Sequence, residues 1–149
     1  MRLLSLLALF ATANAAPTLD KRLNACGISS FSADFSNPGS ISDCEVLVSQ
    51  LSQTLSINNF PAFTYGGDWY EVGDFSTCAF WVRSIRNNRA TIGNEDVYDL
   101  LRDSLRGGAR GTAVGAKGTM QCNGVDVEWR VGRSSNEGGP TIVPVFPGN

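Results

Sequence analysis

Ala116-Lys117-Gly118-Thr119-Met120-Gln121-Cys122-Asn123-Gly124-Val125-Asp126-Val127-Glu128-Trp129-Arg130-Val131 decides how the rest of the chain is read. Asn-Gly is the strongest short signal for a type I′ hairpin turn, because both central residues must take positive φ. Two strands, Ala116 to Cys122 and Val125 to Val131, therefore run antiparallel about Asn123-Gly124. In the second, Val125, Val127, Trp129 and Val131 alternate with Asp126, Glu128 and Arg130. Such alternation belongs to an antiparallel sheet with one covered face and one wet face.

Working back along the chain, the next requirement is something to cover that face. Asn94-Glu95-Asp96 opens a helix, with Asn94 as N-cap and acids where the helix dipole favours them. Val97, Leu100, Leu101, Ser104 and Leu105 make its buried stripe, Arg102 and Arg106 occupy its last turns, and Gly107-Gly108 supplies a C′ residue. Further upstream, Thr77 to Ile85 reads as the central strand, with Cys78, Phe80 and Val82 on one face and Ala79, Trp81 and Arg83 on the other. Asp68 to Val72 is its partner across Gly73-Asp74, and Pro61 to Gly67 is a loop. Ser42-Asp43-Cys44-Glu45 has the spacing of a capping box. Cys44, Leu47, Val48, Leu51 and Leu55 then recur at helical spacing, giving an amphipathic helix that ends near Asn58-Asn59 and Pro61. Residues 26–35 form a weak first strand. From Ser134 onward the chain is rich in Gly, Ser and Pro and reads as a flexible tail, with Val143, Val145 and Phe146 its apolar points.

Strand, helix, two strands, helix and two strands assemble most simply as an α+β two-layer sandwich. Two helices cover one side of a mostly antiparallel sheet of four or five strands. All four cysteines, Cys26, Cys44, Cys78 and Cys122, fall within this body. No pair has the C-x₂₋₄-C spacing of a zinc site and the chain has no histidine, so two disulfides are expected and no metal or other cofactor. Cys44 opens a helix that should cover the strand holding Cys78, and Cys26 begins the first strand while Cys122 ends the hairpin's first arm. Cys44–Cys78 and Cys26–Cys122 are the favoured pairs.

The amino terminus supplies the compartment. Arg2 precedes the apolar run Leu3 to Phe10, which leads into Ala13-Asn14-Ala15, the A-x-A pattern of signal peptidase. Residues 1–15 are thus a signal peptide cut after Ala15. Residues 16–22 are a pro-segment ending in the dibasic processing pair Lys21-Arg22, 23–133 the working domain and 134–149 the tail. No run approaches a membrane span. The 12 basic and 14 acidic residues become 9 and 13 once the first 22 residues, holding Arg2, Lys21, Arg22 and Asp20, are set aside, a formal charge of −4. Such a balance gives no footprint for nucleic acid.

Without histidine, triad and Cys-His catalysis are unavailable, and the cysteines are committed to disulfides. Gly107-Gly108 with Gly111 follows a helix and lacks G-K-[ST], so it is no phosphate loop. A glycosidase would need two carboxylates across a cleft. Asp68, Glu71 and Asp74 about one hairpin, and Asp96, Asp99 and Asp103 on the second helix, read instead as solvated acids that pair with Lys117 and the helix arginines. No catalytic residue is assigned. Phe60, Phe63, Tyr65, Trp69 and Tyr70, however, fall within eleven residues around one loop, more than a small core needs. Phe63, Tyr65, Trp69 and Tyr70 are the candidate contact residues.

Cys78-Ala79-Phe80, Ile92-Gly93-Asn94-Glu95-Asp96-Val97-Tyr98, Val114-Gly115-Ala116-Lys117-Gly118-Thr119-Met120-Gln121-Cys122 and Val127-Glu128-Trp129 carry a resemblance. The chain is similar to the secreted "extracellular protein two" effector domain of fungi, the necrosis-inducing factors. Cys26-Gly27 and Ser42-Asp43-Cys44 stand where that family places its first two cysteines, and the likeness covers about residues 26–131. It implies a secreted, disulfide-stapled fungal effector acting on a host plant or competing microbe. More loosely, it implies kinship with the virus-encoded killer toxins of smut fungi. The expectation is a non-enzymatic, monomeric extracellular protein that binds a host or microbial protein target through its surface. The alternatives are a killer-type antimicrobial acting on a membrane or channel, and, more weakly, a small glycosidase using Glu71 or Asp74.

Overall fold

Asn123 and Gly124 adopt φ of 50° and 81°, and Cys122 pairs with Val125 across a two-residue loop, as the Asn-Gly signal requires. The computed structural model describes residues 24–53, 57–60 (backbone), 69–85 and 88–135. The expected signal peptide ending at Ala15, the expected pro-segment with Lys21 and Arg22, Leu55, Phe63, Tyr65, Asp68 and residues 136–149 lie outside them.

The elements run β1 Ser32–Ala33, β2 Gly39–Ser40, α1 Ile41–Leu51, β3 Ile57–Phe60, β4 Tyr70–Phe75, β5 Cys78–Ser84, β6 Ala90–Gly93, α2 Asn94–Gly107, β7 Ala109–Arg110, β8 Ala113–Val114, β9 Ala116–Cys122 and β10 Val125–Arg133. The main sheet is antiparallel throughout, in the order β1-β9-β10-β5-β4. Two small sheets, β2-β8-β7 and β3-β6, brace the helix ends. The expected α+β architecture is the one formed.

One face of the main sheet and the inner faces of both helices share a single core. Cys78, Phe80, Val82, Val127, Trp129 and Val131 meet Cys44, Leu47 and Leu51 of α1 and Val97, Leu100 and Leu101 of α2. Phe80 stacks on Trp129 with ring centroids 6.1 Å apart. Each of these larger side chains stabilises the fold by about 1.5–3 kcal/mol on burial. Both expected disulfides are present: Cys44–Cys78 fastens α1 to β5, and Cys26–Cys122 fastens the N-terminal segment to the end of β9. That segment is held along β9 by bonds from the Gly27, Ser30 and Asp34 N–H groups to the carbonyls of Gln121, Thr119 and Gly115. Only Ser32–Ala33 of the strand expected at 26–35 pairs as regular sheet.

Several local expectations are corrected by tertiary contacts. Helix α1 ends at Leu51, and Ile57–Phe60 pairs with β6 where the periodicity had suggested more helix. The Ser42–Glu45 capping box does not form. Ser40 is the N-cap, Ser42 Oγ bonds Ser40 Oγ, and Asp43 accepts from the Thr77 N–H and hydroxyl, docking the helix on the β4–β5 turn. Gly93, not Asn94, is the N-cap of α2. Gly108 has φ −110°, so it is no left-handed cap. Glycine is required there because a Cβ would lie 2.8 Å from the Gly115 carbonyl and 2.9 Å from that of Ser104.

Candidate functional site: the open face of the sheet

Opposite the core, β5 and β10 present a face that neither helix covers. Their register sets Arg130 directly across from Trp81 and Glu128 across from Arg83. Tyr70 lies opposite Val82 and so turns to the core side, which sends Trp69, one residue earlier, to the open side. The Arg130 guanidinium lies 4.5 Å from the Trp69 ring centroid and 5.0 Å from that of Trp81, and Arg83 lies 4.6 Å from Trp69. Trp81, Arg130, Trp69 and Arg83 thus form a continuous cation–π cluster, all four half-buried. Each such contact stabilises by roughly 0.5–1 kcal/mol at exposed sites.

The two arginines differ in their partners. Arg83 is ion-paired to Glu128. Arg130 makes no direct ion pair with a carboxylate among the described residues, although the charges of Asp34 and Glu71 attract it from a distance. Partial burial, with repulsion from Arg83, holds its pKa below the ordinary guanidinium value. It stays charged at any physiological pH. Beside the cluster a groove of about 460 Å³ runs over Gly118, edged by the hydroxyls of Ser30, Ser32 and Thr119 and by an ion pair of 3.0 Å between Lys117 and Asp34.

Two acidic groups that the sequence placed at the surface have structural partners instead. Asp96 is buried and accepts from the N–H groups of Ala25 (2.8 Å), Cys26 (3.2 Å) and Gly93 (2.9 Å), pinning the N-terminal segment to the start of α2. Burial raises its pKa, against the lowering effect of those three donors. Asp74 is buried with Ser134 Oγ 3.2 Å away, while Glu71 accepts from the Ser135 N–H and hydroxyl. Burial raises the Glu71 pKa and the charge of Asp74 adds to it. These carboxylates hold the chain as it leaves β10; they do not face each other across an open cleft. Asp99 is half-buried and paired with Arg102 at 3.0 Å, as the sequence suggested.

Of the candidate contact residues, Trp69 belongs to the open-face cluster and Tyr70 packs, half-buried, against the core, where burial raises its pKa. Phe63 and Tyr65 lie outside the described residues. Trp81, Arg83 and Arg130 were not singled out by the sequence. The signal that could have found them was the strand alternation, which set Trp81 and Arg83 on one face and Arg130 on the wet face of its partner.

A family model described as "Pathogen effector; putative necrosis-inducing factor", Hce2, matches residues 25–122. The chain belongs to this effector family. The match runs from the residue before Cys26 through Cys122, so it spans both disulfides and ends at the hairpin turn. A search of curated proteins returns no similar sequence. Among the described residues of this Hce2 protein, no helix is long and apolar enough to cross a membrane.

Proposed function

We propose that this Hce2 protein is a secreted effector that works without turnover, by binding a target outside the cell that makes it, and that the open sheet face is its contact surface. The observation that carries the reading is the Trp81–Arg130–Trp69–Arg83 cluster on the side of the sheet that the helices leave bare. Aromatic and arginine side chains are the types that dominate binding energy at interfaces. Here Trp81, Arg83 and Arg130 stand on regular strands backed by a disulfide-stapled core, with Trp69 directly before β4, so little ordering is needed on binding. The leader-like residues 1–22, the two disulfides and the effector family support export.

Infiltration of the purified protein into leaves, with Arg130→Ala and Trp81→Ala variants beside it, tests this. Both variants should melt close to the parent yet lose most of the tissue response. A full response from both, with folding intact, would overturn the assignment of this face.

A further inference from the structure

We infer that the groove beside the cluster takes an acidic sugar, a uronate unit of a polysaccharide, with its carboxylate on Arg130. The inference rests on the reading of the open face as the contact surface and supplies its ligand class. Three observations carry it.

The first is the state of the cations. Arg83 and Lys117 already have carboxylates in Glu128 and Asp34, whereas Arg130 is half-buried and charged with no direct ion pair to a carboxylate among the described residues. A partly desolvated guanidinium binds a carboxylate through two parallel N–H···O bonds, more strongly than a neutral acceptor. Its contacts with Trp69 and Trp81 hold the group in place without consuming those donors.

The second is the lining. Ser30, Ser32 and Thr119 contribute hydroxyls, Lys117 donors and Asp34 an acceptor. Sugar hydroxyls both donate and accept, which suits this mixture. The volume of about 460 Å³ lies in the range of small-ligand sites.

The third is the backbone. The groove runs from the short edge strand β1 across β9 and β10 to β5, and β9 pairs with β10 and β10 with β5 along their lengths. β1, the edge strand that flanks the groove, is only two residues long, so an acidic peptide would bring carboxylates but find little strand edge for its own main chain. A sugar chain brings no such backbone requirement.

Titration calorimetry of the secreted protein with a four-unit oligomer of 1,4-linked uronate, and with its methyl ester, tests the inference. The acid form should bind and the ester should not. Arg130→Ala should weaken binding about tenfold or more, equivalent to about 1.4 kcal/mol. Arg130→Lys, which keeps the charge but not the paired donors, should fall between. Glu128→Gln, which releases Arg83 from its partner, should tighten binding a few-fold. Absence of binding, equal binding of the ester, equal binding of a poly-glutamate peptide, or an unchanged Arg130→Ala would each overturn the inference. The leaf assay separates the two readings. Loss of response in Arg130→Ala without uronate binding removes only the ligand; Arg130-dependent uronate binding with an unchanged response removes only the function proposed for the face.

Discussion

The same strands, β5 and β10, carry two unlike faces, and each holds a tryptophan. Trp129 is fully buried, stacked on Phe80 with its indole N–H bonded to Ser29 Oγ at 2.7 Å. Trp81, on the neighbouring strand, is half-exposed, lies against Arg130 and donates to the Arg133 carbonyl at 3.3 Å. Residue type does not distinguish them; the neighbours do. Helices and disulfides close one face, so its aromatic area becomes core stability. Arginines accompany the other, so its aromatic area stays near water and available to a ligand.

The comparison breaks if the two faces share the stabilising work. Removing a staple should have the largest effect. Replacing Cys26 and Cys122 by serine opens a loop with a sequence separation of 96, which should cost about 4–5 kcal/mol in the chain-entropy account. Denaturant titration of the double variant reads this. Next comes Trp129→Ala, expected to cost about 3–5 kcal/mol as a buried large-to-small change. Trp81→Ala should cost only about 1 kcal/mol, the scale of its cation–π contact and partial burial. Equal losses for the two tryptophans, measured by thermal or chemical melting, would show the open face to be a second core.

The smallest effect concerns charge. On the open side, hydrogen bonds from Lys117 and then Ser36 lower the Asp34 pKa from 3.8 to about 2. Its folded value lies below its unfolded one, so its stabilising contribution is complete above about pH 3.8 and is lost as pH falls toward about 2. Asp96 behaves oppositely. Its pKa is raised by burial, so its contribution is present at low pH and lost as pH rises through the raised value. Asp34→Asn should therefore flatten the acid limb of the stability curve by a few tenths of a kcal/mol, as expected of a partly exposed ion pair. Melting curves across that range would sharpen the contrast if Asp96→Asn leaves the acid limb intact.

Legibility followed the range of the interactions. The β9–β10 hairpin was readable because its turn is specified by two adjacent residues and its faces by strict alternation. Helix α2 was readable because caps, charge and periodicity agree within one segment. The pairing of the cysteines followed once those elements were stacked. What failed locally was decided from afar. The helical spacing that ran on to Leu55 could not compete with pairing between Ile57–Phe60 and β6. Asp96 and Asp74 looked solvated because the segments covering them, Ala25-Cys26 and Ser134, are remote in sequence. The open-face cluster was half legible. Alternation assigns each residue to a face, but only the register puts Arg130 opposite Trp81.

By itself, then, the sequence determined the class of fold, the hairpin and the second helix, because each follows from neighbours one to a few positions apart. Tertiary structure alone decided which carboxylates are buried and where the first helix stops. It also decided that two tryptophans and two arginines, from β5, β10 and the residue before β4, meet on one bare face. Register, burial and electrostatic partnership are set by residues tens of positions apart, and no local pattern encodes that meeting.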